Sequence, residues 1–137
     1  MKKRILIGIC AVLLLTSCAH EYNQVYKTTN NDYKYEFAKE CFAKGKYGFA
    51  VPLLQDLVTI EKGTDNAQEC LYMLAMAEYC LKDYQAASET FKKYYQTYPR
   101  GQYAEIASFY SGQSLFEGTP EPRLDQTPTV AAIAAFQ

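Results

Sequence analysis

Two stretches of the chain, FAKECFAKGKYGFAVPLL (37–54) and LAMAEYCLKDYQAASETF (74–91), superpose at an offset of 37 residues. Tyr47 falls on Tyr84, Ala50 on Ala87, Leu54 on Phe91 and Ala38 on Ala75. Self-similarity at such a period constrains a fold more tightly than composition does. Each copy must be one supersecondary unit that hides its apolar face only against the next copy. Within each copy the apolar residues recur at helical spacing, and a turn, Lys44-Gly45-Lys46 or Lys82-Asp83, divides the copy into two helices. The alanine at each shared slot lets two helices approach closely, and the large residue four places later fills the groove between them.

The spacing predicts three repeats, at about 32–63, 64–100 and 101–137. Gly63 closes the first, and Asp65 or Asn66 is expected to cap the next helix, its side-chain oxygen accepting an orphan N–H. Pro52 is expected within the first turn or so of its helix, where a missing N–H costs little. The third repeat starts at Gln102 and puts Gly112 in the slot of Ala75. Its first helix is expected to run to about Glu117, followed by a loop, 118–128. Thr127-Pro128 then caps and starts TVAAIAAFQ, with Ala132 and Phe136 in the alanine and large-residue slots. The sequence stops in mid-helix with an apolar face uncovered, whereas a solenoid needs a polar terminal cap, so the expectation is a fragment of a longer protein or a truncated reading frame. The pattern resembles tetratricopeptide repeats, which recur at about 34 residues with a Leu-small pair in the first helix, then Ala, Phe and a closing Pro in the second. Leu74-Ala75, Ala87, Phe91 and Pro99 fill those slots, although the consensus Trp is absent and the first repeat lacks the closing Pro. The expected fold class is all-α, with helical hairpins stacked into a right-handed α-α superhelix.

The first residues have a different character. Lys2, Lys3 and Arg4 precede the apolar run Ile5 to Leu15, which is too short to span a bilayer comfortably. The run ends on Leu15-Thr16-Ser17-Cys18, which resembles the bacterial lipobox. That resemblance implies a signal peptide over 1–17, cleavage before Cys18, a diacylglycerol thioether on its thiol and an acylated amino terminus. Several acyl chains make a stable membrane anchor where one would not. Ala19 in place of Asp implies onward transfer to the outer membrane. Residues 18–31, polar with scattered tyrosines and no steady period, are expected to form a flexible tether.

Loss of residues 1–17 removes three of the 14 Lys+Arg and none of the 15 Asp+Glu, leaving a net charge of −4. Nucleic acid is excluded as a partner, since phosphate binding needs clustered Lys and Arg. Cys41, Cys70 and Cys80 remain, each in an apolar helical pattern that reads it as a small hydrophobe. One disulfide with one free thiol is the other reading in an oxidising compartment. Neither a CxxC pair nor a His/Cys cluster is present, so no metal or cofactor is expected. His20 is the sole histidine and sits beside the lipid, and Glu36 with Glu40 and Glu117 with Glu121 are spaced as solvated surfaces. The chain lacks the nucleophile-and-base sets and phosphate-cradling glycine loops that catalysis would need.

With the lipobox, the segments EYNQVYK (21–27), KYEFAKECFAKGKY (34–47), GTDNAQECLYMLAMAEYCLKDYQAASETFKKYYQTYP (63–99) and LDQTPTVAAIAAFQ (124–137) resemble the BamD family of outer-membrane assembly lipoproteins. The Leu124-Asp125-Gln126-Thr127 loop inside the third repeat is the most specific of them. Relatives often place a Tyr and adjacent prolines before it, where this chain has Thr119-Pro120-Glu121-Pro122-Arg123. The likeness covers the mature chain but about the first half of the family's length, and the family's carboxy-terminal repeats, which dock on the barrel subunit BamA, have no counterpart. The resemblance implies a lipid-anchored, non-catalytic scaffold on the periplasmic face of the outer membrane. Its implied partners are a BamA-like barrel subunit, the other assembly-machinery lipoproteins and unfolded outer-membrane proteins.

Slot counting puts Tyr35, Lys39 and Phe42, then Tyr72, Met76 and Tyr79, then Phe109, Gln113 and Phe116, on the face carried by the first helices of the three repeats. This row is the candidate groove for an extended peptide, and in the family the amino-terminal repeats receive carboxy-terminal targeting signals that end in aromatic residues. The alternative is that these side chains pack between neighbouring helices. A different function, that of an envelope tetratricopeptide lipoprotein coordinating cell-wall, division or glycan-capture partners, also fits the repeats. A Trp/Tyr sugar platform is expected of the glycan-capture version, and the chain has no Trp.

Overall fold

The computed structural model describes residues 21–64, 66–119 and 125–136. Cys18 with the rest of the lipobox, Asp65 and residues 120–124 of the expected loop lie outside them. The described residues form helices joined by short turns, with no strand: α1 over residues 21–26, α2 Asn31–Ala43, α3 Tyr47–Ile60, α4 Ala67–Cys80, α5 Tyr84–Thr97, α6 Ala104–Glu117 and α7 Thr127–Ala135. From α2 to α7 each helix packs on the next, and α2 also touches α4 across the hairpin boundary. This is the stacking of tetratricopeptide-like hairpins, all-α as expected.

Local chemistry sets the boundaries. The Asn30 side chain accepts the Tyr33 N–H at 3.0 Å to start α2, and Asp83 accepts the Ala86 N–H at 3.3 Å to start α5. The first two hairpin turns repeat one geometry. Gly45 at φ +70° and Lys82 at φ +64° occupy equivalent slots, and each turn closes with a six-residue bond, Lys46 N–H to Cys41 C=O and Asp83 N–H to Glu78 C=O. Glycine adopts that backbone freely, whereas lysine holds it at a cost of about 1–2 kcal/mol.

The slot residues form the core. Ala38, Ala50, Leu54, Ala75, Ala87 and Phe91 are all fully buried. One cluster centres on Leu53, Leu54 and Leu57 of α3, and a second on Phe91 and Tyr94 of α5. Gly112 carries the same close approach into the third repeat, where a Cβ would meet the Phe136 ring at 3.1 Å and the Ala135 methyl at 3.2 Å. Lys34, itself buried, bonds Asp56 at 2.8 Å and ties α2 to α3. Tyr94 donates to Gln68 of α4 at 3.3 Å and accepts the Tyr103 N–H at 3.4 Å, so one hydroxyl links the α4, α5 and α6 regions.

Five expectations are corrected. The stretch read as a tether is helical over 21–26, with Val25 fully buried and the Tyr22 ring 4.9 Å from Phe49. Two apolar side chains three apart lay a single turn over the open end of the first repeat, too short a signal to show as a period. Asn66 makes no capping bond. The turn before α4 is held instead by the Thr64 hydroxyl, bonded to the Glu61 carbonyl at 2.8 Å and its carboxylate at 2.7 Å. Pro52 is the sixth residue of α3, a turn further in than expected, and the carbonyl it leaves unbonded belongs to solvent-exposed Gly48. Helix α7 has Gln126 rather than Thr127 in its cap position, without a side-chain capping bond, and Thr127 is held from two residues earlier by Asp125, whose carboxylate accepts its N–H at 3.0 Å and its hydroxyl at 2.7 Å. Cys80 is exposed at the end of α4 rather than packed, while Cys41 and Cys70 are buried, and all three are free thiols.

Glu78 stands three residues after Ala75, where the repeat pattern has a tyrosine. It is only 5 % exposed, and its Oε2 has no hydrogen-bond partner among the described residues. Burial raises its pKa above the usual carboxylate value, Asp83 and Glu89 raise it further, and a Thr90 hydrogen bond opposes them. A raised folded-state pKa means the folded form holds the proton more tightly than the unfolded one. The associated stability is therefore complete below the unfolded value of about 4.5 and is lost as pH rises through the folded value. Glu78→Gln is expected to raise the melting temperature at pH 7 and to match the parent near pH 4, as followed by circular dichroism. Lys82→Gly is expected to stabilise by about 1 kcal/mol in urea titration, because it relieves the left-handed lysine.

Candidate functional site

Helices α2, α4 and α6 carry the face selected by slot counting, and its character changes along the solenoid. At the α2 end it is polar. Tyr35 is buried, and its hydroxyl donates to Glu69 of α4 at 2.5 Å. The Lys39 ammonium lies 4.9 Å from the centre of the Tyr35 ring, 3.9 Å from Glu36 and 4.0 Å from Glu69. Burial first, then the Glu69 hydrogen bond, push the Tyr35 hydroxyl far above its ordinary value, so it stays a donor at every physiological pH. Phe42 turns away from this cluster and meets the Tyr47 ring edge-on at 5.6 Å, packing within the first hairpin.

The middle is aromatic and half-buried. Tyr72 stacks on Tyr103 with centroids 4.1 Å apart and planes 10° apart, with Phe91 and Tyr94 edge-on behind it. Tyr79 meets Tyr110 edge-on at 5.1 Å and Tyr84 at 5.6 Å. Met76 sits one turn from each and packs against the same core cluster. Burial raises the pKa of Tyr72 and of Tyr79, and Glu117 adds to the effect at Tyr79. These rings are therefore uncharged amphipathic walls.

The α6 end is open. Phe109 and Phe116 are 53 % and 59 % exposed, and Ile106, one turn before Phe109, is 41 % exposed. Gln113 lies between the two phenylalanines and donates to Glu117 at 2.9 Å. Phe109 touches Tyr110 edge-on at 5.4 Å and approaches the Phe136 ring at 6.1 Å.

The nine expected residues therefore fall into three groups. Tyr35, Lys39, Phe42 and Tyr72 are engaged in joining helices, while Phe109 and Phe116 present bare rings, with Met76, Tyr79 and Gln113 between them. Slot counting did not select Glu69, Tyr103, Ile106 or Tyr110. Glu69 and Ile106 were within reach by extending each helical stripe one turn earlier. Tyr103 lies just before α6, outside any helical period, and only its stack on Tyr72 reveals it.

The face offers ring surfaces, carboxylates and tyrosine hydroxyls, which suit non-covalent capture. Burial, reinforced by Glu61 and Glu69, pushes the Cys70 thiol up to about 12, so it is a protonated, unreactive core group. Among the described residues no three His, Cys, Asp or Glu side chains gather as a metal set, and no helix is long and apolar enough to cross a membrane.

No curated protein matches the sequence. Residues 27–137, which take in the described helices from α2 to α7, match the family model described as YfiO, outer membrane lipoprotein. With the all-helical repeat architecture and a match over most of its length, the chain belongs to the YfiO family of outer membrane lipoproteins, a BamD-like family.

Proposed function

We propose that this chain is a lipid-anchored, non-catalytic scaffold of the machinery that assembles β-barrel proteins in the outer membrane. In this reading residues 1–17 are a signal peptide, Cys18 carries the lipid, and the repeats from about residue 32 bind protein on the periplasmic side. The observation that carries it is the family match from α2 through α7, and the aromatic face on α4 and α6 supplies a surface suited to the task. The partners are a BamA-like barrel subunit, companion lipoproteins and unfolded barrel proteins.

The peptide receptor is the row Tyr72, Met76, Tyr79, Phe109, Gln113 and Phe116, with Tyr35, Lys39 and Phe42 setting its polar end. An extended segment ending in aromatic residues would lay its rings against Phe109 and Phe116. It would find acceptors at Glu117 and Glu69 for its backbone N–H groups. Aromatic pairs contribute about 0.5–1.5 kcal/mol each beyond area burial. The double variant Phe109→Ala/Phe116→Ala removes exposed rings and leaves the core intact. It is expected to weaken binding of a fluorescent peptide ending in an aromatic residue by roughly tenfold in anisotropy titrations. An unchanged Kd, with a parent-like melting curve, would rule out this face as the receptor.

Cys18→Ser is expected to shift the protein from the membrane pellet to a soluble or uncleaved form and to abolish fatty-acid labelling. Unchanged fractionation and labelling would sink the anchor assignment.

A further inference from the structure

We infer that the α1 end of the solenoid, presenting Tyr26 and Tyr33, rests in the headgroup layer of the membrane that holds the lipid. The inference rests on lipidation of Cys18 as proposed above and adds an interaction surface to it.

Length is the first argument. Only Ala19 and His20 separate Cys18 from Glu21, where the described helix begins. Fully extended, three residue steps reach roughly 10 Å. Helix α1 adds no slack, because Val25 is fully buried and the Tyr22 ring lies against Phe49. The turn from α1 into α2 is closed by the Thr28 N–H to Val25 C=O bond at 3.1 Å and the Asn30 cap. A domain fixed this close to its acyl chains cannot swing clear of the bilayer surface.

Chemistry is the second. Tyr26 and Tyr33 are each 48 % exposed. Tyr33 and Glu21 line one surface groove of about 450 Å³, so Tyr33 borders the point where the chain arrives from the lipid. A second groove shares Glu21 and Phe37 with the first and is lined by Tyr22, on which Tyr26 stacks at 5.9 Å. Tyrosine, an apolar ring with a polar tip, is favoured at the membrane–water interface. Exposed Lys27 adjoins the patch, but Glu21, Asp32 and Glu36 offset its attraction to lipid phosphate, so ring partitioning dominates over charge. Each contact is weak alone, yet a short tether raises the effective concentration of the surface to the millimolar range, where weak contacts suffice.

The natural chain has no Trp, so Tyr26→Trp and Tyr33→Trp each introduce a single reporter. The lipidated full chain would be placed in phosphatidylethanolamine–phosphatidylglycerol vesicles with and without brominated acyl chains, with flotation run on the same samples. Both reporters are expected to shift to the blue and lose emission to the brominated lipid, while Phe116→Trp on the third repeat does neither. A Gly/Ser spacer inserted between His20 and Glu21 should reduce the quenching. Protein that floats with unquenched reporters at 26 and 33 would overturn the docking and leave the anchor standing. Equal quenching at 116, or capture of the patch by a co-purifying protein that abolishes quenching in native membranes, would also overturn it. Failure to float would remove the anchor and the docking together.

Discussion

Everything in this structure depends on how closely the helix backbones can approach at one recurring slot. Ala38, Ala75 and Gly112 on the first helices, with Ala50, Ala87 and Ala132 on the second, are small where neighbouring helices meet. At Gly112 the approach is close enough that even a methyl group would crowd Phe136. Dispersion and burial act only over such distances. The large residues, Leu54 and Phe91, are then fully buried because the backbones have closed around them. Remove the small slots and the hairpins have no surface on which to stack.

Because that slot repeats at a fixed spacing, the architecture was legible in the residues. The hairpins, the turns at Gly45 and Lys82 and the core position of Phe91 all follow from the offset. Where the reading failed, a single residue or a single turn was deciding. One helical turn carrying Tyr22 and Val25 has no period to detect, yet burial of Val25 converts an expected tether into part of the domain. Thr127 became the first residue of α7 instead of its cap because the Asp125 carboxylate takes both its N–H and its hydroxyl, a geometry invisible in a list of capping residues. On the candidate face the slots selected a stripe of side chains on α2, α4 and α6. They carried no information on which rings would be covered, since that depends on partners such as Tyr103 and Tyr110 contributed by the next repeat.

The choice of tyrosine as the main large side chain gives this solenoid a particular economy. A tyrosine in the interior supplies the volume of a phenylalanine together with a hydroxyl that must be satisfied. Tyr35 satisfies it on Glu69, and Tyr94 on Gln68, each across a helix boundary. The same residue type on the surface, at Tyr26 and Tyr33, tolerates water and apolar surroundings alike. One side chain therefore serves as core filler, cross-repeat link and exposed contact.

The Tyr94 hydroxyl, joined to Gln68 on one side and to the Tyr103 backbone on the other, has a mechanical meaning. Apolar packing fixes the distance between helices but resists sliding and rotation weakly, since a greasy contact costs little to shear. A directional bond on each side of one rigid ring opposes both. The second and third repeats are thus pinned in angle as well as in spacing, with Gly101 allowing the chain to pass over the pin at close range. The first and second repeats meet mainly through the apolar packing of α3 on α4, and the Tyr35 hydroxyl adds a directional bond from α2 to Glu69 of α4. A directional bond thus crosses both junctions between repeats, so a turn imposed on one hairpin is handed on to the next.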